Sequence, residues 1–334
     1  MPGKKRIVCV GGATLDRRYY AAQPLIAGTS NPVMGERAFG GVARNVAESL
    51  ARLGVEVGLV SILGQDEAGD ALLGDLRRLG VDVSAVARAE DERTGEYVAV
   101  IAPNGDLFVG LADMEIFSLL TPAHIERAAA LLSEAAIVFA DCNLEAGLLA
   151  DLAERRRRGA FELVLDAVSG PKARRLPRSL DGIDLLFLNI EEASSYLGGP
   201  PQTPEAAAAA LRGRGARAVV LTLGEKGAIV ADAKGMIHSP AVAARAIDVT
   251  GAGDAMIAGT LYSLDRGEAL ADAVRMGALL AAITTEHGAS VHPELSVGFL
   301  SAGLGRIGGS AGAATSPLEG DGRTTGKGQG SEPS

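Results

Sequence analysis

The alternation of short apolar runs with helical segments constrains the fold of this chain more than any other feature of its sequence. Residues 7–10, 57–62, 136–140, 163–165, 185–188 and 218–223 are the apolar runs typical of buried strands. Strands separated by helices cannot pair through tight turns, so they lie parallel in one sheet with helices on both faces. The sequence therefore predicts a doubly wound, mainly parallel α/β domain.

One region breaks this alternation. Residues 94–102 alternate between apolar and polar side chains, and a second such run at 107–111 follows the turn sequence Pro103-Asn104-Gly105. An Asn-Gly pair between two alternating runs is typical of a β-hairpin. Together with the extended residues 33–38, this hairpin predicts a small β-sheet lid. Its segments, about 13–39 and 94–112, are inserted into a domain that covers residues 1–300.

The last part of the chain, residues 301–334, has a different composition. It is rich in glycine, serine, threonine and lysine, and it has almost no large apolar residue after Ile307. Such a segment cannot bury enough apolar surface to offset its conformational entropy. We expect it to be a disordered tail.

Charge and composition argue against several classes of function. The net charge of −9 is unfavourable for binding nucleic acid or an acidic membrane surface. The two cysteines, Cys9 and Cys142, lie in apolar segments without the spacing of a disulfide scaffold or a zinc site. No apolar run approaches the length of a membrane span, and the N-terminal apolar run is too short for a signal peptide. We therefore expect a cytoplasmic protein without nucleic-acid or membrane partners.

Residues 248–259, DVTGAGDAMIAG, carry the strongest chemical signal. The small residues Gly251, Ala252 and Gly253 allow backbone N–H groups to approach an anion, and the apolar run that follows indicates the start of a helix. Asp254 stands at this junction, where a carboxylate can accept the proton of an attacking hydroxyl group. The pattern predicts phosphoryl transfer. The alternative is an ordinary loop closed by an N-capping aspartate.

A second constellation precedes a predicted helix near the N-terminus. Gly40 and Gly41 stand at the entrance of an amphipathic helix within residues 39–54, and Asn45 lies one turn into it. Asp16 follows the first predicted strand, close to its carboxyl end, where open α/β sheets bind their ligands. These residues are candidates for binding sugar hydroxyl groups. The alternatives are a flexible turn with a solvated asparagine, and an aspartate that caps a turn.

Three motifs in this order resemble the ribokinase-like, or PfkB-type, family of sugar and nucleoside kinases. They are the diglycine followed by Asn45, the sequence Asn189-Ile-Glu-Glu192 after a strand, and the DVTGAGD motif. The resemblance covers about residues 5–300. It implies a ribokinase-like doubly wound sheet with a small β-sheet lid, and transfer of the γ-phosphoryl group of ATP to a primary hydroxyl group with Mg²⁺.

Shorter motifs are similar to those of the pseudouridine kinases within this family. They are TSNP at 29–32, GGVARN at 40–45, NGDLF at 104–108, ADMEI at 112–116, ADCN at 140–143 and DAVSGPK at 166–172. The resemblance implies that pseudouridine is phosphorylated on its 5′-hydroxyl group. Two alternatives stay open: a kinase of another nucleoside or sugar, of the ribose, adenosine or fructose type, and a non-catalytic ligand-binding regulator with the same fold.

The resemblance also implies roles for individual residues on the substrate side of the site. Asp254 matches the catalytic base, and residues 251–253 match the anion hole. The residues that match substrate contacts, for the ribose or for the base and the lid, are Asp16, Gly40, Gly41, Asn45, Asn31, Asp113 and Lys172. The lid is also a candidate dimer interface, because exposed strand edges invite pairing with a second copy.

On the nucleotide side, the resemblance implies contacts with ATP and with two kinds of cation. The residues that match ATP contacts are Asn189, Thr222, Gly224 and Gly227. Glu192 matches a residue that organises Mg²⁺ through water, since Mg²⁺ retains much of its hydration. Asp248 and Thr250 match a site for a monovalent cation such as K⁺.

The chain departs from the family pattern at three positions. Thr14 replaces an asparagine common two residues before Asp16, so one ribose contact is weakened or replaced. Leu188 stands before Asn189 where proline is usual, and Ala167 interrupts an Asp-Pro pair. The last change puts the local loop geometry in doubt but not the chemistry.

Overall fold

The computed structural model describes residues 6–159 and 161–308. Within these ranges the strands are β1 (Arg6–Val10), β2 (Thr14–Ala21), β3 (Val33–Gly40), β4 (Val57–Val60), β5 (Ile62–Gly64), β6 (Ala87–Ala89), β7 (Glu96–Ile101), β8 (Leu107–Asp113), β9 (Ala135–Asp141), β10 (Glu162–Asp166), β11 (Leu185–Asn189), β12 (Val219–Thr222), β13 (Ala228–Asp232) and β14 (Gly235–Ser239).

The helices of the same described ranges are α1 (Val42–Arg52), α2 (Glu67–Arg78), α3 (Pro122–Arg127), α4 (Ala129–Ser133), α5 (Ala146–Arg157), α6 (Gly170–Ala173), α7 (Ile190–Leu197), α8 (Pro204–Gly213), α9 (Ala252–Asp265), α10 (Leu270–Thr285), α11 (Val297–Ala302) and α12 (Gly305–Gly308). Short 3₁₀ turns cover Glu115–Leu119 and Gly224–Lys226.

The main sheet has the strand order β14-β13-β12-β11-β10-β9-β1-β4. Six neighbouring strands of this sheet are parallel: β12, β11, β10, β9, β1 and β4. The strands β13 and β14 add an antiparallel edge next to β12. Successive side chains of a strand point to opposite faces. In β1, Ile7 and Cys9 therefore join the core on one face, and Val8 and Val10 join the core on the other. Helices cover both faces, which confirms the predicted doubly wound fold.

The second sheet is smaller and has the order β3-β2-β7-β8. β7 and β8 form the hairpin expected from the Asn-Gly pair, and Gly105 adopts the positive φ of 88° that this turn requires. Apolar side chains of this sheet are exposed, among them Met34 (66%) and Phe108 (62%). The sheet matches the expected small β-sheet. The boundaries of the predicted lid and its part in a homodimer stay predictions.

Three sequence-based expectations need correction. The alternative of a turn-capping role for Asp16 is wrong, because this residue lies within β2 and pairs with Ala38. The apolar run 57–62 is two strands rather than one, since β5 turns away at Ser61 to pair with β6. The predicted tail begins too early: residues 301–308 belong partly to α11 and α12, where Arg306 forms an ion pair with Glu286. Residues 309–334 lie outside the described part of the chain.

The basic cluster at residues 155–158 lies at the end of α5. Its four arginines, in sequence order, contact the carboxylates of Asp151, Asp184, Glu154 and Glu154. Both cysteines are buried and free. In the ranges that the structure describes, no helix has the length and apolar character needed to cross a membrane.

Candidate active site

Polar residues end four adjacent strands of the main sheet. Asp141 ends β9, Asp166 ends β10, Asn189 ends β11 and Thr222 ends β12. Asp166 is in register with Asp141, and Asn189 with Thr222. The carboxyl edge of an open parallel sheet is where such folds bind ligands. These residues therefore place the candidate site at that edge.

The loop before α9 requires glycine at one position. Gly251 has a φ of 78°, and a Cβ atom there would lie 2.2 Å from the carbonyl oxygen of Ser290. By contrast, a Cβ atom on Gly253 would meet nothing within 4 Å. The first turn of α9 is therefore open on the side of Gly253. The N-terminus of a helix this long attracts an anion through its free N–H groups and its dipole.

Asp254 lies in the first turn of α9, and Asn45 contacts it from α1. The Nδ2 atom of Asn45 donates a hydrogen bond of 2.7 Å to Oδ2 of Asp254. Burial raises the pKa of Asp254 to about 7 against the opposing effect of this hydrogen bond, and the negative charges of Asp141 and Asp16 add to the increase. A carboxyl group with this pKa can accept a proton near neutral pH.

Gly40 and Gly41 allow close contact with neighbouring parts of the chain, because neither residue carries a Cβ atom. A Cβ atom on Gly40 would lie 2.2 Å from the carboxylate of Asp16, and one on Gly41 would lie 2.4 Å from the carbonyl oxygen of Gly12. The Oγ1 atom of Thr14, which replaces the family's asparagine, donates a 2.9 Å hydrogen bond to Asp16. Burial nevertheless raises the pKa of Asp16. The hydroxyl group of Thr14 thus holds this carboxylate by a hydrogen bond, although the bond does not offset the effect of burial on the pKa.

Asp141 is not among the site residues predicted from the sequence, although it lies in the ADCN motif. Asp141 is buried, and its Oδ2 atom accepts hydrogen bonds from the backbone N–H groups of Gly12 and Ala43, both at 2.9 Å. Its Oδ1 atom accepts a third bond from the N–H of Asn143 at 2.9 Å. Asp141 therefore joins the loop after β1 to the start of α1, which carries Asn45.

Asp166 is a second residue that the sequence interpretation missed. Burial raises its pKa well above the ordinary range, and the negative charges of Glu192, Asp254 and Asp141 raise it further. Val168, two residues later, has a φ of 68°, and its N–H donates to Asp166. A β-branched residue in this conformation is strained, and such strain often occurs at functional sites.

Asn189 and Glu192 form a capping box at the start of α7. Glu192 accepts hydrogen bonds from the backbone N–H (2.7 Å) and the Nδ2 atom (2.9 Å) of Asn189, whose Oδ1 accepts from the N–H groups of Glu191 and Glu192. The capping role alone accounts for these bonds. In the described ranges no group of three acidic, histidine or cysteine side chains forms a metal cage.

The acidic pair of Asp166 and Glu192 nevertheless fits a hydrated divalent cation. Both side chains offer the oxygen ligands that Mg²⁺ prefers, and the charge of Glu192 adds to the effect of burial in raising the pKa of Asp166. A divalent cation held by these carboxylates would offset their repulsion. The fit is with an ion that keeps most of its water, because the two carboxylates alone do not complete a coordination sphere.

Three predicted nucleotide contacts lie at the end of β12 and at the turn that follows it. Thr222 is half-buried at the end of β12, and Gly224 and Gly227 enclose the following 3₁₀ turn with positive φ values of 60° and 87°. A Cβ atom on Gly227 would lie 2.1 Å from the carbonyl oxygen of Ser239, whereas Gly224 has open space around it. Their contacts with ATP stay a prediction.

The three predicted base or lid contacts have different surroundings. Lys172 donates from Nζ to Asn143 Oδ1, and burial lowers its pKa. The amide of Asn31 donates to the carbonyls of Ile26 and Thr29 and accepts from the N–H of Ile26, so all these bonds stay within its own loop. Asp113 is exposed at the end of β8. Lys172 also contacts Sδ of Met114, the neighbour of Asp113 in the chain, at 3.5 Å, so it lies near the end of β8.

Asp248 and Thr250 form a tight turn before Gly251. Oδ1 of Asp248 accepts a hydrogen bond from the N–H of Thr250 at 2.8 Å, and Oδ2 accepts one from Nη1 of Arg18 at 2.8 Å. Burial acts to raise the pKa of Asp248, but the Thr250 hydrogen bonds and the Arg18 charge outweigh it, so the pKa is lowered. The carboxylate expected to bind a monovalent cation is thus paired with an arginine.

Known proteins resemble this chain over most of its length. The family model described as pfkB family carbohydrate kinase matches residues 4–295. The chain is 29% identical over 303 residues to the pseudouridine kinase of Escherichia coli, covering 89% of this chain and 96% of that protein. It is 31% identical over 299 residues to an uncharacterised sugar kinase of E. coli, covering 86% and 80%.

Solved structures of kinases also resemble this chain over most of its length. A carbohydrate kinase from Agrobacterium tumefaciens superposes with a TM-score of 0.79 at 31% identity, over 90% of this chain and 97% of that one. The ribokinase of Thermotoga maritima superposes with a TM-score of 0.76 at 21% identity, over 90% and 99%, and this likeness concerns the fold.

Proposed function

Because the chain belongs to the pfkB family of carbohydrate kinases, which are phosphotransferases acting on a hydroxyl group, we propose that it transfers the γ-phosphoryl group of ATP to the 5′-hydroxyl of pseudouridine. The products are pseudouridine 5′-phosphate and ADP. The observation that carries the chemistry is Asp254, which has a pKa of about 7 at the N-terminus of α9 and bonds to Asn45. The resemblance to a pseudouridine kinase supports the choice of substrate.

In this proposal Asp254 takes the proton of the acceptor hydroxyl group as that oxygen forms its bond to the γ-phosphorus, while the bond from the γ-phosphorus to the bridging oxygen breaks and ADP leaves. The hydrogen bond from Asn45 holds the carboxylate in one orientation and favours its charged form. Backbone N–H groups at residues 251–253 stabilise the oxygens of the transferred group, in a loop whose shape Gly251 fixes against Ser290. Catalysis then depends on alignment and charge stabilisation, as expected for phosphoryl transfer.

The substrate and the nucleotide would bind on opposite sides of this loop. Asp16, Gly40, Gly41 and Asn45 contact the ribose, and Asn189, Thr222, Gly224 and Gly227 contact ATP. Asp166 and Glu192 would hold a hydrated Mg²⁺, which neutralises phosphate charge when bound. Asn31, Asp113 and Lys172 are the candidates for reading the base or closing the lid.

Product analysis tests this proposal. The purified protein is incubated with ATP and Mg²⁺ and, separately, with pseudouridine, uridine, guanosine or ribose, and mass spectrometry detects any 5′-phosphate. We expect the highest kcat/KM for pseudouridine. A higher value for another acceptor keeps the kinase and overturns the substrate. Absence of product with every acceptor would favour the alternative of a ligand-binding regulator.

A further inference from the structure

Arg18 connects the small sheet to the loop that precedes α9. It lies on β2, and its Nη1 atom donates hydrogen bonds of 2.8 Å both to Oδ2 of Asp248 and to the carbonyl oxygen of Gly288. The side chain is only 13% exposed, so the guanidinium group is largely removed from water. A partly buried bond between a charged donor and a carboxylate is stronger than an exposed ion pair.

The two oxygens that Arg18 contacts do not fit a monovalent cation in this arrangement. A carboxylate oxygen and a backbone carbonyl oxygen are suitable ligands for such an ion, but one guanidinium nitrogen lies within 2.8 Å of both. The other carboxylate oxygen of Asp248 already accepts the N–H of Thr250. A second positive charge at this position would be repelled by the guanidinium group. The carboxylate that the resemblance implied as a K⁺ ligand is thus already paired with a side chain of the protein.

The segments joined by Arg18 determine the shape of the loop 248–251. The N–H groups of Ile247 and Asp248 donate to the carbonyl of Thr285, and Gly251 packs against Ser290, two residues beyond Gly288. A displacement of either segment would therefore move Gly251 and the first turn of α9, which contains Asp254. Arg18 holds both segments at once.

Arg18 also relates this loop to the acceptor side of the site. Asp16 and Arg18 are two residues apart on β2, so their side chains leave the strand on the same face. The charge of Arg18 acts to lower the pKa of Asp16. Arg17 leaves on the other face, where its Nε atom contacts Glu96 at 2.6 Å. The contact of Arg18 with Asp248 therefore sets the position of Asp16 relative to the anion-binding loop.

We propose that Arg18 is a positioning residue that replaces the monovalent cation, so that phosphoryl transfer by this chain does not depend on K⁺. The proposal rests on the proposed role of residues 251–253 as the anion hole. Arg18 provides the positive charge beside Asp248 and aligns the small sheet with α9. It contacts neither the acceptor hydroxyl group nor the transferred phosphoryl group.

The first test compares cations on the unaltered protein. kcat is measured with the best acceptor in KCl, NaCl and tetramethylammonium chloride at equal ionic strength, and thermal unfolding is followed in the same salts. We expect kcat values within about twofold of one another and equal melting temperatures. Activation by K⁺ of tenfold or more over tetramethylammonium, or a K⁺-specific rise in the melting temperature, would overturn the proposal. The comparison of melting temperatures is informative even if none of the tested acceptors is phosphorylated.

The second test removes the guanidinium group with Arg18→Met. Since misplacement of reacting groups by about 1 Å can cost about a hundredfold in rate, we expect kcat to fall by roughly tenfold to a hundredfold. KCl should restore part of kcat and raise the melting temperature of this variant, whereas tetramethylammonium chloride should do neither. Arg18→Lys should retain more activity than Arg18→Met, because it keeps the charge.

Arg17→Met is the matched control, because Arg17 is the neighbouring arginine on the opposite face of β2. It should keep the kcat and the cation insensitivity of the unaltered protein. An Arg18→Met variant that folds, keeps full kcat and does not respond to K⁺ would contradict the proposal. If that variant does not fold, the cation comparison on the unaltered protein still decides the question.

Discussion

The two sides of the candidate site differ in what their polar side chains contact. On the phosphoryl-transfer side, Asp254 bonds to Asn45 on another helix, and Gly251 packs against Ser290. On the side expected to read the base, Asn31 bonds only within residues 26–31, and Asp113 is exposed. Long-range contacts therefore fix the groups that move the phosphoryl group, while Asn31, expected to help select the acceptor, is held within its own loop. Lys172 is the exception on that side, since it bonds to Asn143. We expect substitutions on the first side to affect kcat and those on the second to affect KM.

The largest effect is expected for Asp254→Asn. Removal of the proton acceptor should lower kcat by about two to four orders of magnitude, the usual contribution of a general base, with little change in nucleoside affinity. kcat and the dissociation constant of the nucleoside are the quantities to measure. Asp272→Asn makes the same chemical change on the exposed part of α10 and should leave both unchanged. Near-normal turnover by Asp254→Asn would contradict the assignment.

Gly251→Ala should have the next largest effect. A Cβ atom there would lie 2.2 Å from the Ser290 carbonyl, and the positive φ is unfavourable for alanine, so we expect the protein to lose more than about 1 kcal/mol of stability. The displaced loop should also lower kcat by about a hundredfold. Gly74→Ala in α2 is the control, because its Cβ would meet nothing within 4 Å. Equal melting temperatures and equal kcat for the two variants would argue against a constrained loop.

Asn31→Ala should have the smallest effect and a different signature. It removes the hydrogen bonds that order residues 26–31, and their loss is worth about 1 kcal/mol each at most. We expect KM for the nucleoside to rise about tenfold while kcat changes less than about threefold. Steady-state kinetics with saturating ATP separates the two parameters. A large fall in kcat without a change in KM would remove the distinction between the two sides.

The fold and the local motifs could be predicted because their signals are short-range. The alternation of apolar runs and helices predicted the doubly wound sheet, and Asn104-Gly105 predicted the hairpin of β7 and β8. The family prediction is confirmed as well. Each of these signals lies within a few residues of sequence or in the order of motifs along the chain.

The long-range contacts that organise the site could not be predicted from such short-range signals. Asp141 bonds to the N–H of Gly12 across 129 residues, and Arg18 bonds to Asp248 across 230. A single aspartate at the end of an apolar run, or an arginine in an alternating strand, has no local pattern that indicates its distant partner. The prediction of a K⁺ site at Asp248 followed the family motif and did not include Arg18. Only the folded chain brings that guanidinium group to the carboxylate.

The central claim is that the carboxylate of Asp254 accepts the proton of the acceptor hydroxyl group. The pH dependence of kcat/KM tests it most directly, because this profile reports the pKa of the essential base in the free enzyme. The pKa of Asp254 is raised to about 7, so the carboxyl group is protonated and inactive at lower pH. We predict that kcat/KM falls about tenfold per pH unit below pH 7 and is level above it. In Asn45→Ala the fall in kcat/KM should begin at a higher pH. The hydrogen bond lost in this variant favours the charged form of Asp254, so its removal raises the pKa. A kcat/KM that does not change from pH 5 to pH 8 would contradict the account. So would an Asn45→Ala variant whose kcat/KM falls at the same pH as that of the unaltered protein.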